Sequence, residues 1–206
     1  MIDGIDGTAI YSKECPKTPG DWVSCGDGKW ENYMGNIIEE GSNRVPYINP
    51  PFKNRGEKLG AYIHYYIACK LLGENPVFES SHWKEFTLYY GDLLMKGFVD
   101  KYVDKVLGVE AVVSDPDDFC KKVRFDLICD GKDPYGCWDS QPTCIVDWKY
   151  VNGKFYPENY CDQMKLYEKA YTEAQWDGGP LLSHVLVVAV NSAGRVKIER
   201  YFGEDT

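Results

Sequence analysis

Thr143-Cys-Ile-Val-Asp147-Trp-Lys149-Tyr-Val151 is an apolar run interrupted by a carboxylate and an ammonium two positions apart. Its β-branched and aromatic residues read as a strand, and the period of two puts Asp147 and Lys149 on one face. That face must be wet or occupied, because burying unpaired charge is costly. Two earlier runs carry one acid each: Glu110 lies between Val109 and Ala111, and Asp126 lies in Val-Arg-Phe-Asp-Leu-Ile. Three acids on three consecutive apolar strands ask for a shared partner. A divalent cation such as Mg²⁺ suits them, since it takes carboxylate oxygens and bridges to phosphate. A lysine beside it could hold a nucleophile and stabilise charge on phosphoryl oxygens. Taken singly, the same residues also read as a turn cap or as an exposed ion pair.

Outward from these runs, the pattern predicts strands over 107–113, 121–129 and 143–151, with a turn at Asp115-Pro116-Asp117 and a loop over 130–142. Helical spacing is read over 57–72, 82–106 and 159–175, with Gly91 and Gly97 weakening the second. Two last strands, 182–190 and 196–202, flank a turn at 191–194. The expected fold is α/β, with some α+β character: a mixed central sheet flanked by helices. Residues 1–56, rich in Gly, Pro, Asn and Ser, read as a loop-rich segment of the same domain with no chemistry. Residues 57–206 form its core.

With 206 residues and 44% hydrophobic content, one domain is expected. No stretch approaches a membrane span and residues 1–11 lack a signal pattern, so a soluble, intracellular protein of the cytoplasm or another DNA-containing compartment is expected. The eight cysteines read mostly as buried thiols. No two lie two to four residues apart, which argues against zinc. The net charge of −9 opposes nucleic-acid binding by bulk electrostatics. Local gathering of Lys53, Arg55 and Lys58, or of Lys121, Lys122 and Arg124, would offset it, as would bound divalent ions.

A hydrophobic strand with a late Asp126, then Asp147-x-Lys149, then Gln163-Met-Lys-Leu-Tyr167 on a helix resembles the RecB-type exonuclease branch of the PD-(D/E)XK nuclease superfamily. Gln163 and Tyr167, four apart, share a helix face. Gly60-Ala-Tyr-Ile-His64 matches the family's Gly-x-x-x-His pattern on an earlier helix, so the resemblance spans residues 57–202. It implies a restriction-endonuclease-like core. It also implies that His64, Asp126, Asp147 and the Trp148 backbone carbonyl hold one or two Mg²⁺ or Mn²⁺ ions. Lys149 would position the attacking water, Glu110 would support the site, and Gln163 and Tyr167 would contact the strand being cut. Val123 stands where the family has Gly, and Pro116-Asp117 sits in a turn signal rather than in the motif. No cysteine follows Cys161, so no iron-sulfur cluster is expected.

The function so implied is metal-dependent hydrolysis of DNA from a free, single-stranded end in repair, recombination or replication, leaving a 5′-phosphate. An endonuclease, an inactive nucleic-acid-binding module on the same fold, and an unrelated α/β protein that binds a metal or sugar are the alternatives. His82 and His184 match nothing in the pattern.

Overall fold

Helix gives way to sheet at Val103, where strand pairing with Gly131 begins. The computed structural model describes residues 22–26, 29–32, 37–39, 41–46, 48, 51–118, 120–136, 143–174 and 182–201. A small antiparallel sheet of β1 (Trp22–Gly26), β2 (Lys29–Asn32) and β3 (Ile37–Glu39) comes first. Then follow α1 (Arg55–Leu72) and α2 (Ser81–Leu94). A π-helical turn, Met95–Val99, and a last helical turn, α3 (Asp100–Tyr102), lead into β4 (Val103–Ser114). β5 (Lys122–Gly131), β6 (Thr143–Val151), a 3-10 turn (Pro157–Tyr160), α4 (Cys161–Glu173), β7 (Leu182–Asn191) and β8 (Val196–Tyr201) complete the order.

The main sheet has the order β4-β5-β6-β7-β8. β6 and β7 are parallel, joined by the crossover that carries α4, and the other pairs are antiparallel. Helices cover both faces. Leu59, Ile63 and Ile67 of α1 and Leu94 at the end of α2 pack with Val109, Leu127, Val146, Trp148, Leu186 and Val188. Met164, Tyr167, Ala170 and Tyr171 of α4 pack on the other face with Phe125, Ile145, Val185 and Val187. Burial on both faces explains why β6 and β7 are near-continuous apolar runs. The chain is therefore an α/β protein with a mixed five-stranded sheet flanked by helices. No helix among the described residues is long and apolar enough to cross a membrane.

Side-chain caps fix the helix starts. Asn54 Oδ1 accepts from Glu57 N at 2.9 Å, and Ser80 Oγ from Trp83 N at 3.4 Å. Gly73, at φ 71°, closes α1 in the left-handed region. The helix expected to reach residue 106 ends at Tyr102. There the valine-bearing segment 103–106 pairs with Cys129, Asp130 and Gly131 instead. Gly91 serves packing: a Cβ there would stand 2.3 Å from Tyr66 Cδ1.

The loop-rich reading of 1–56 is corrected by β1–β3, whose sequence signal is the Asp27-Gly28 pair between β1 and β2. Positions 137–142 of the expected loop, together with Cys15, Cys137, Gln175 and Phe202, lie outside the described residues. Cys69, Cys129 and Cys144 are buried as expected, whereas Cys120 is exposed and Cys161 half-buried.

The segment after β3 clamps the edge strand β4. Asn43 N donates to Val109 O at 2.7 Å, and Asn43 Oδ1 accepts from Val109 N at 2.7 Å. Ser42 Oγ accepts from Val112 N at 2.8 Å and donates to Glu39 O at 2.7 Å. These side chains satisfy edge groups that would otherwise lack partners. Asn43 sits at φ 52°, a conformation that Asn tolerates and Ala resists. Asn43→Ala is expected to lower stability by about 1–3 kcal/mol, through the orphaned Val109 N–H and the strained backbone, in denaturant unfolding.

Candidate metal centre

Val109 pairs with Leu127 and Ala111 with Phe125, so Glu110 and Asp126 face each other across the β4–β5 ladder. Side-chain alternation breaks at both. Val109 and Leu127 pack under α1, while Ala111 and Phe125 pack under α4, although residues two apart in a regular strand share a face. Glu110 marks the break with φ 50°, held by the Ser42–Asn43 clamp on either side. The β5–β6 ladder ends at the same level, its last pair being Leu127 with Val146. Beyond it, Trp148 N donates to Asp126 Oδ2 at 2.7 Å, so a side chain takes the role of the missing neighbour strand.

α1 lies over this gap and contributes His64. Its Nε2 donates to the Trp148 carbonyl at 2.7 Å, which leaves Nδ1 facing Asp126 Oδ2 at 3.3 Å. Donor atoms of His64, Glu110 and Asp126 all lie within 4.8 Å of one another, a group that could hold a metal ion. The Trp148 carbonyl, expected as a ligand, here orients the histidine. Such an outer hydrogen bond fixes which ring nitrogen is available.

Asp147 stands beside that group, not in it. Its Oδ1 accepts from Gln163 Nε2 at 2.9 Å and from the Tyr167 hydroxyl at 3.3 Å, while Gln163 Nε2 also reaches the Tyr167 oxygen at 2.7 Å. Lys149 Nζ lies 2.6 Å from Asp147 Oδ2, so the ammonium both pairs with that buried oxygen and donates to it. Carboxylates of Glu110 and Asp126 crowded with a histidine, and a third carboxylate beside them, are a donor set that fits a hard cation. Gln163 and Tyr167, expected to touch the substrate strand, are turned onto Asp147 in this structure, and Tyr167 is buried.

Arg124 is the residue whose place the spacing did not reveal. Its Nη1 lies 3.7 Å from Glu110 Oε2 and donates to the Glu110 carbonyl at 3.4 Å. Its neighbours in the expected basic gathering face the protein's own acids, Lys121 pairing with Asp118 and Lys122 with Glu39. Lys58 likewise pairs with Glu79.

Charge crowding sets the protonation of the centre. Burial, then the Asp126 charge, pushes Glu110 up to about 8. The same causes lift Asp147 to about 6 against the pull of Lys149. Burial works to lower His64, but the Asp126 carboxylate overrides it and holds the imidazolium to about 9. Burial likewise works to raise Asp126, and His64 overrides it, so that carboxyl falls below its usual range.

Two expectations follow from these values. Glu110 and His64 keep protons in the folded state that the unfolded chain releases above 4.5 and 6.5, so without divalent cation the fold loses stability from there up through about 8 and about 9. Ligation needs those protons gone, so Mn²⁺ should raise the melting temperature more at about pH 9 than at about pH 6, with calorimetry showing proton release. Equal shifts at both would place the ion elsewhere. Gln163→Ala removes a donor to a buried carboxylate and should cost about 1–3 kcal/mol of stability in denaturant unfolding. No family model and no curated protein sequence matches the chain, so a role for it has to come from its own residues.

Proposed function

We propose that this chain is a metal-dependent nuclease of the PD-(D/E)XK superfamily, with a restriction-endonuclease-like core, that hydrolyses phosphodiester bonds of DNA with Mg²⁺ or Mn²⁺. The observation that carries this reading is the meeting of His64, Glu110 and Asp126 with the Asp147–Lys149 pair where two strands of one sheet part. Oxygen-rich donors with one imidazole suit a hard divalent ion, and an ammonium beside them suits a phosphate substrate.

His64 Nδ1, Glu110 and Asp126 would hold the ion, with the Asp147 carboxylate beside them as a further acceptor. The ion supplies Lewis-acid polarisation of a phosphoryl oxygen. Lys149 places positive charge where negative charge grows on the non-bridging oxygens, and its N–H groups can hold a water in line with phosphorus. As the water oxygen bonds to phosphorus, the P–O3′ bond breaks, giving a 5′-phosphate and a 3′-hydroxyl. Gln163 and Tyr167 keep Asp147 in place for Lys149. The preference for a free, single-stranded end rests on the sequence resemblance.

The test is cleavage of end-labelled linear single-stranded, linear double-stranded and covalently closed DNA with Mg²⁺ or Mn²⁺. Lys149→Ala and Asp126→Asn are each expected to slow degradation of linear DNA by about 10²–10³-fold, with closed circles spared. Cut circles would make the chain an endonuclease. Intact DNA that is nevertheless retained would make it a binding module.

A further inference from the structure

On the α1 side of the sheet, the start of α1 gathers cations with aromatic rings in a chain that is acidic overall. Tyr150, next to Lys149, lies along α1: a Cβ on Gly60 would be 4.0 Å from Tyr150 Cβ, and one on Gly56 4.0 Å from Tyr150 Cε1. The ring thus points from the level of the centre towards Arg55. Arg55 is exposed, and among the described residues no carboxylate pairs with it. Its guanidinium carbon is 5.1 Å from the Phe86 ring centroid and 6.0 Å from that of Trp83, and Nη2 donates to His82 Nε2 at 2.9 Å. His82 stands edge-on to Phe86 at 4.9 Å. These rings are half-buried or exposed, so the pedestal is open to solvent on one side.

We propose that the Arg55–Phe86–Trp83 pedestal, reached from the centre along Tyr150, holds the single-stranded DNA segment next to the bond being cut. This rests on the nuclease reading and adds a subsite to it. The physical case is charge complementarity. Glu110, Asp126 and Asp147 repel phosphates near the centre, so the strand needs anchoring on a cation that no acid among the described residues has already neutralised. Lys58, 5.0 Å from the Trp83 centroid, is answered by Glu79, whereas Arg55 is not. A planar guanidinium held on rings can take a phosphate through its free N–H groups, and the rings beside it can stack a base. Nine residues at ~1.5 Å rise put Arg55 roughly 13 Å from His64 along α1, a span of about four stacked nucleotides.

The experiment is fluorescence anisotropy of a labelled oligothymidylate of about 12 nucleotides, a length within single-strand site sizes, in EDTA so that nothing is cut. Arg55→Glu and Phe86→Leu are each expected to weaken binding about tenfold. Arg55→Ala should also lower the slope of log affinity against log salt by about one. Far-UV circular dichroism checks folding, with Arg55→Gln as the milder replacement. Wild-type binding unchanged by these substitutions would overturn the subsite and leave the nuclease reading standing. Wild type that binds no oligonucleotide would overturn the subsite, while the cleavage assay with Mg²⁺ or Mn²⁺ decides the nuclease reading separately. Displacement of the oligonucleotide by polyglutamate as readily as by unlabelled oligonucleotide would make the pedestal a general polyanion surface and overturn the proposal.

Discussion

One hydrogen bond organises the middle of this molecule: Trp148 N donates to the Asp126 carboxylate, not to a backbone carbonyl of β5. A buried amide left without a partner is costly, so two strands can part only where something replaces the ladder. Asp126 does so, and in the gap it opens the neighbouring Trp148 carbonyl takes the hydrogen of His64. Glu110, opposite Asp126, turns through its positive φ at the same level. The group that could hold a metal ion is therefore a consequence of how the sheet ends its pairing, and each member is held by backbone as well as by charge.

The electrostatics follow from that crowding. Three buried acids cannot all be ionised without a counter-charge, and this structure answers with His64, Arg124, Lys149 and retained protons. A divalent cation would take over the work of those protons. The net charge of −9 then bears less on the proposed nuclease function than it first suggests, because the charge that matters is local. Gln163 and Tyr167 belong to the same logic, since they stabilise the one acid that stands outside the three-residue group.

What the sequence disclosed tracks the range of the interactions. Asp147 and Lys149 were legible because a period of two fixes their common face, and Gln163 with Tyr167 because helical spacing fixes theirs. β6 matched its expected limits because both its ends are marked by a change of pattern. What the shared face of Gln163 and Tyr167 would meet was not legible, since that depends on where α4 docks. The Ser42–Asn43 clamp could not be read at all: its partners Val112 and Val109 lie 70 and 66 residues away. The left-handed Glu110 and its contact with Arg124 are tertiary features of the same kind. At residue 103, strand pairing overrode a helical pattern that local spacing carried on to residue 106.

The most direct measurement is anomalous diffraction from crystals of the protein soaked in Mn²⁺. The expected map has a peak bounded by His64 Nδ1 and by carboxylate oxygens of Glu110 and Asp126, each within about 2.5 Å of the ion. A map with no peak there at saturating Mn²⁺, the four side chains His64, Glu110, Asp126 and Asp147 keeping their bonds to one another and to Trp148, Lys149, Arg124, Gln163 and Tyr167, would contradict a metal centre in this sheet.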